Sequence, residues 1–423
     1  MRICLLCYRG NKYCGGQGIY LYYLSRELQR MGHEVDVMMG PPYSDIADGI
    51  RVHELESLNL YDRLVEGRKD FFPQGDPLRI FNPLNLYELA AASVGMFPEM
   101  TTFSVRAYLK IRQLLPHHRF DIVHDNQCLA YGLLHMRTLG LPVVATIHHP
   151  LPIDTKADLA QAPTTWKKIK RILFYPPLMQ GIVARRLDGV ITDSESSAQE
   201  IRRIFKVHPD KMRTVYLGVD TDVFRRMDGH RREPNSLIMV GRTEDRKKGI
   251  LYLLQALRLL KGDDLNPKLT IVDQVGSGSM ALDLVRKYEL DGMVTFTGRL
   301  TTDELVRRYS AAEVAITPSL YEGFGLPAAE AMACGVPVIA TTAGALPEVV
   351  KQGETGILVP PQDPHALAGA IKQLLADESM RRRMGGEGRK RVERHFSWAE
   401  AARQMIQVYE EVLSGAASPS GRT

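Results

Sequence analysis

The order in which short apolar runs alternate with amphipathic segments leaves this chain few folds to adopt. Runs of strand length occur at residues 3–7, 34–38, 121–124, 143–147, 189–192 and 214–217, and segments of helical periodicity separate them, as at 19–31, which ends at Gly32. The pattern restarts at residues 237–240, 268–272, 294–296, 314–317 and 336–340. Helices between successive strands make a parallel sheet covered on both faces. Between residues 220 and 235 the periodicity lapses into charged sequence with Gly229 and Pro234. The expectation is therefore an α/β protein of two Rossmann-like parallel-sheet domains, residues 1–222 and 223–396. A helix at 397–414 is expected to pack back on the first domain, and the small, polar tail at 415–423 to be disordered. Ligands of such sheets bind at the carboxyl ends of the strands, so two domains facing each other would enclose a cleft there.

Bulk properties narrow the class. A length of 423 residues suits two or three domains with substantial cores. The formal charge is a modest +5, although basic residues gather at Lys167-Lys168-Ile-Lys170-Arg171, Arg381-Arg382-Arg383 and Arg389-Lys390-Arg391. Solvated helix faces account for most such clusters, and an anionic substrate or membrane surface for some. Nucleic acid is disfavoured, because no recognised binding motif accompanies them. The first eight residues hold too short an apolar run for a signal peptide, and no stretch reaches transmembrane length. A cytoplasmic protein is expected, with any membrane contact peripheral. Five scattered cysteines argue against a disulfide framework. Cys4 and Cys7 fall on opposite faces of the first strand, which disfavours metal or redox use.

The segment Glu322-Gly-Phe-Gly-Leu-Pro-Ala-Ala-Glu330 says most about chemistry. It follows a buried strand at 314–317, and Pro327 suits the first position of a helix running to Cys334 and ending at Gly335. Free N–H groups at that helix start, with Gly323 and Gly325 allowing close approach, suit phosphate oxygens. Carboxylates beside a phosphate repel it, so Glu322 and Glu330 make sense as hydroxyl binders. A nucleotide sugar carries both a diphosphate and hydroxyls. An ordinary loop-to-helix junction, with Glu in the first turn favoured by the dipole, is the alternative.

Other segments are less specific. Cys14-Gly15-Gly16-Gln17-Gly18 follows the first strand and precedes a helix expected near Ile19, an order that suits an anion or a closely packed substrate. Residues 77–115 read as a mostly helical insertion able to shape an acceptor site. Residues 166–175 read as a basic, aromatic, amphipathic segment, either a core-facing helix with a solvated side or one lying on an anionic membrane.

Taken together, residues 322–330, Gly241-Arg242 with Lys248-Gly249, Gly298-Arg299, Gly335-Val-Pro-Val-Ile-Ala340 and Gly15-Gly16 resemble the family 4 retaining glycosyltransferases of the GT-B fold, most strongly from Val240 to Val359. Arg242 and Lys248 hang from the loop after a strand ending at Val240, where a guanidinium fork and a compact ammonium can neutralise a leaving diphosphate. The resemblance gives them that role. It also gives Glu330 the ribose hydroxyls and Glu322 hydroxyls of the transferred sugar. Backbone at Gly323, Phe324, Gly325 and Leu326 would contact sugar and phosphate, and Gly298 and Arg299 would line the base pocket. His148, ending the strand at 143–147, would lie near the reacting sugar, whereas His149 has no such support. Ser194 would lie near the cleft, and Gly15 and Gly16 would form an acceptor or phosphate loop.

The activity so implied is metal-independent, retaining transfer of a glucose- or mannose-type hexose from a UDP- or GDP-sugar to a hydroxyl of a glycolipid, polysaccharide or small molecule, without a cofactor. A nucleotide-sugar 2-epimerase and a noncatalytic sugar-nucleotide-binding protein are the alternatives. Two features depart from the family pattern, the altered turn Val272-Asp-Gln-Val-Gly276-Ser-Gly278-Ser and Leu217-Gly-Val-Asp220 in place of Asn-Gly-Val-Asp. Gly276-Ser-Gly278 also mimics a dinucleotide fingerprint, but it lies mid-domain without the expected acidic residue. Asp220-Thr-Asp222 mimics a metal-binding pair but sits in the interdomain connection.

Overall fold

The computed structural model describes residues 1–10, 16–43, 45–60, 77–94, 96–148, 150, 177–227, 229, 231–262, 265–276 and 278–416. The chain forms two compact units. Met1–Asp193, Ser197–Val215 and the stretch from Ala402 make the first, while Ser194–Ser196 and Tyr216–Ala401 make the second.

In the first unit, β1 (Arg2–Cys7), β2 (Glu34–Met39), β3 (Arg51–Glu54), β4 (Ile122–Asn126), β5 (Val143–Thr146), β6 (Gly189–Thr192) and β7 (Met212–Thr214) form one parallel sheet in the order β3-β2-β1-β4-β5-β6-β7. Its inner strands are buried along almost their whole length, as continuous apolar runs require. The strand order reverses between β1 and β4, so a crevice opens at their carboxyl ends. Within the 77–115 insertion, helix Glu99–Leu114 puts Met100, Phe103, Ala107 and Ile111 into the core at helical spacing.

In the second unit, β8 (Ser236–Val240), β9 (Lys268–Val272), β10 (Val294–Phe296), β11 (Val314–Thr317), β12 (Val338–Thr341) and β13 (Gly356–Val359) form a parallel sheet in the order β10-β9-β8-β11-β12-β13. Its reversal falls between β8 and β11, the strands that precede the Arg242–Lys248 and Glu322–Glu330 loops. Among the described residues no helix is long and apolar enough to cross a membrane.

Several local expectations need correction. The last strand of the first sheet is Met212–Thr214, earlier than the run at 214–217, because the pairing with β6 sets its register. β3 and β13 were not expected; β3 is a largely exposed edge strand with only one apolar residue. The first helix begins at Gly16, so Gly16 and Gly18 lie within it instead of in a preceding turn. Helix Leu326–Ala333 has Pro327 at its second position and ends one residue before Cys334, with Gly335 at φ 70° just beyond. Gly15, Cys14, His149, the tail from residue 417 and the 166–175 segment lie outside the described residues.

Candidate functional site

At the switch point of the second sheet, two loops are fastened together by their backbones. The Leu320 N–H donates to the Lys247 carbonyl at 2.6 Å. Gly249 sits at φ 68°, and a Cβ there would lie 1.9 Å from the Pro318 carbonyl oxygen, so only glycine lets the loops approach this closely. On the other side, the Glu322 carbonyl accepts the Ala345 N–H at 3.0 Å, and a Cβ on Gly344 would lie 2.2 Å from that same carbonyl oxygen. The backbone around Glu322 is thus clamped from both flanks.

This clamp brings Lys248 and Glu322 together. Lys248 Nζ lies 3.2 Å from Oε1 and 2.9 Å from Oε2 of Glu322, and Ser319 Oγ donates to Oε2 at 3.0 Å. Both charges are largely shielded from solvent, with side-chain exposures of 24% and 13%. Arg242, after β8, is exposed and has no side-chain hydrogen bond or ion pair among the described residues. Its turn is anchored at Thr243, whose N–H and hydroxyl both donate to Asp273 Oδ2 at 2.7 Å.

Helix Leu326–Ala333 starts from Gly325, at φ 106°. Gly323, Phe324 and Leu326 therefore place backbone N–H groups around a helix start that has no side-chain cap. Phe324 is buried, with its ring 5.5 Å from Phe396 and 6.2 Å from Tyr216. Glu330 lies one turn into the helix and its Oε2 is 3.2 Å from the hydroxyl of buried Tyr309, which is also 3.2 Å from the Pro327 carbonyl. Burial pushes the Glu330 carboxyl up to about 7, with the Tyr309 hydrogen bond opposing the shift. A carboxyl poised there can donate to or accept from a hydroxyl, and repels a nearby phosphate less than a fixed anion would. Gly298, at φ 77°, and exposed Arg299 follow β10 at the same edge of the sheet. Ser194 clusters with this unit, where its Oγ donates to the Gly323 carbonyl at 2.6 Å.

The first unit has its own polar cluster at the carboxyl ends of β4 and β5. His148 Nε2 lies 3.0 Å from Asn126 Oδ1 and Nδ1 lies 3.3 Å from Asp193 Oδ2. The Asn126 amide nitrogen donates to the Gln17 carbonyl at 2.9 Å, which fixes the oxygen toward His148. Gln127 and Leu129 adopt left-handed backbone at φ 58° and 50°, and this bent loop delivers Gln127 Oε1 to the His148 N–H at 2.8 Å. The Tyr20 ring stands edge-on to His148 at 5.0 Å. Beneath it runs a buried chain of contacts, from Tyr20 OH to Thr146 Oγ1 at 2.8 Å, to His124 at 2.7 Å, and to Tyr409 OH at 2.5 Å. Burial, reinforced by His148, lowers His124 to about 3, so it stays neutral between two hydroxyls that can each donate or accept.

The residues singled out from sequence in the second unit therefore gather at one sheet edge. Ser319, Tyr309, Asp273, Asn126 and Asp193 were missed; each is a short polar residue beside a strand end or an aromatic on a helix, with no local motif to mark it. Asp220 Oδ1 accepts the Asp222 and Val223 N–H groups at 3.1 and 3.3 Å, closing a turn.

Two Rossmann-like parallel sheets, one with cations and carboxyl groups gathered at its switch point, are the fold of the GT-B class of glycosyltransferases. The chain belongs to the family 4, group 1 glycosyltransferases: residues 14–223 match the model of Glycosyltransferase Family 4, and residues 220–391 that of Glycosyl transferases group 1. It is 39% identical to the MMP alpha-(1->4)-mannosyltransferase of Mycolicibacterium hassiacum, over 99% of this chain and 100% of that one. It is 27% identical to the D-inositol 3-phosphate glycosyltransferase of Corynebacterium diphtheriae, over 95% of this chain and 90% of that one. The sucrose-phosphate synthase of Thermosynechococcus elongatus superimposes with a TM-score of 0.69 at 25% identity, covering 98% of this chain and 99% of that one. Anabaena HepE, solved with UDP-glucose, shares the fold at a TM-score of 0.66 and 16% identity, covering 97% of this chain and 100% of that one.

Proposed function

We propose that this glycosyltransferase moves a hexose from a UDP- or GDP-sugar to an acceptor hydroxyl, with retention at the anomeric carbon and without a metal ion. The mannosyltransferase relative makes a mannosyl donor and a saccharide 4-hydroxyl the first pair to test. The observation that carries the reading is the Lys248–Glu322 pair at the switch point, one cation and one carboxylate held side by side, with the unengaged Arg242 after the neighbouring strand β8. In the donor complex Lys248 and Arg242 take the diphosphate, Glu322 takes hydroxyls of the transferred sugar and Glu330 the ribose. Gly298 and Arg299 border the base.

Charge developing on the diphosphate as the glycosidic bond breaks is met by Arg242, Lys248 and the N–H groups at the helix start, and such preorganised electrostatics supply the largest catalytic term. The two cations make a metal unnecessary. In the donor complex Glu322, still held by Ser319, is given over to sugar hydroxyls, which leaves it no nucleophilic role. Front-face substitution, in which the leaving phosphate helps to deprotonate the acceptor, fits this better than a covalent intermediate. For His148 we assign a contact to a substrate hydroxyl.

The test is transfer from GDP-mannose, UDP-glucose and their base-swapped counterparts to an α-linked mannose oligosaccharide, with product stereochemistry read by proton NMR in the presence of excess chelator. An α-linked product is expected. Inverted product, abolition by chelator, epimerised donor without acceptor, or saturable donor binding with no transfer across an acceptor panel would each overturn the corresponding part of the reading.

A further inference from the structure

Seven arginines and two glutamates line a cavity of about 1080 Å³ in the second unit. It lies at the amino ends of the sheet, since Glu313 directly precedes β11 and Gly335 precedes β12, and so on the edge opposite Lys248 and Glu322. Three of the arginines are committed to the fold. Arg381 donates to the Leu374 and Leu375 carbonyls at 2.7 and 2.6 Å and to Glu313 at 2.7 Å. Arg389 donates to the Phe224 and Ala333 carbonyls at 2.6 and 2.8 Å, and Arg232 donates to the Gly335 carbonyl. Arg382 is paired with Glu378 at 2.6 Å.

Both glutamates are thus already engaged. Arg225, Arg226 and Arg231 remain exposed at the cavity and have no ion-pair partner among the described residues. The crowding is felt inside, where burial first, then Arg226 and Arg381, lowers Arg232 to about 10. Like charges gathered in a concavity repel one another, and an anion there relieves the repulsion. Guanidinium forks match phosphate oxygens two at a time. The volume lies at the upper end of small-ligand pockets, roughly 300–1,000 Å³, which leaves room for a molecule that carries several phosphate groups.

We propose that this cavity is a second anion site, separate from the donor site, that takes a small molecule bearing two or more phosphate groups. Calorimetric titration of the full chain with sodium pyrophosphate at fixed ionic strength tests it. Two binding events are expected in the wild type. One should survive in Arg242→Ala/Lys248→Ala and weaken at least tenfold in Arg226→Ser/Arg231→Ser, with Arg225→Ser as an independent variant. These three side chains are exposed, so thermal unfolding should be unchanged. A single event abolished by Arg242→Ala/Lys248→Ala would overturn the proposal. So would binding indifferent to the Arg226, Arg231 and Arg225 variants, or heat reproduced by chloride at matched ionic strength. Capture of heparin or anionic vesicles through the same arginines, without pyrophosphate binding, would overturn it in favour of a polyanion or membrane surface.

Discussion

Lys248 reaches both carboxylate oxygens of Glu322, at 3.2 and 2.9 Å, across a gap of 74 residues in sequence. Each group neutralises the other in a site that screens them little, so neither is left as an uncompensated charge before a ligand arrives. Donor binding as proposed must part them, because Lys248 then turns to phosphate and Glu322 to sugar hydroxyls.

That exchange separates two variants that would otherwise look alike. Glu322→Gln frees Lys248, so UDP and GDP should bind at least as tightly as to the wild type, while sugar transfer falls about 100-fold. Lys248→Ala should weaken nucleotide binding by roughly 10- to 100-fold. Calorimetry on both variants checks this, and equal losses of nucleotide affinity would mark the pair as purely structural.

Arg242 is exposed and unengaged, so its loss should leave stability within about 0.5 kcal/mol of the wild type. Turnover of Arg242→Ala should nonetheless fall about 10²- to 10³-fold. Thermal unfolding together with steady-state kinetics separates the two effects; unchanged turnover with a confirmed donor would remove Arg242 from the site.

Gly249→Ala should do the reverse and act through the fold. The left-handed backbone and a Cβ 1.9 Å from the Pro318 carbonyl together should cost roughly 2–4 kcal/mol, with the loops of β8 and β11 pushed apart. A lowered unfolding midpoint is the expected readout.

Glu330 makes stability depend on pH with a definite sign. Its carboxyl ionises at an ordinary 4.5 when unfolded and at about 7 in the fold. Below the lower value both states are protonated, and stability from this group is fully present. As pH rises to about 7 the unfolded state sheds a proton that the folded state keeps, so that stability is progressively lost. Glu330→Gln should flatten this component in denaturant midpoints between about pH 5 and about pH 8. Asp125 in the first unit, also raised to about 7 by burial, contributes with the same sign, and Asp125→Asn should remove its separate share.

Much of this was legible in sequence for a physical reason. Both parallel sheets are buried on both faces, so their inner strands appear as apolar runs that stand out locally. Strands that rest on partners did not. β3, with one apolar residue and an edge position, has no local signature, and β7 is displaced from its apolar run by pairing with β6. In the candidate site, Arg242, Lys248, Glu322 and Glu330 follow strand ends or open a helix, which sequence order reveals. Ser319 and Tyr309, which hold the two glutamates, carry no such mark.

The sequence by itself determined the two α/β sheets, the restart after residue 220 and the chemical types gathered at strand ends, because local periodicity and turn chemistry depend on near neighbours. Tertiary structure alone decided that Lys248 and Glu322 pair, that Tyr309 meets Glu330 in surroundings that raise its carboxyl, and that distant arginines share one cavity. Those outcomes depend on strand order, backbone clamps and desolvation, which arise only when segments far apart in the chain come into contact.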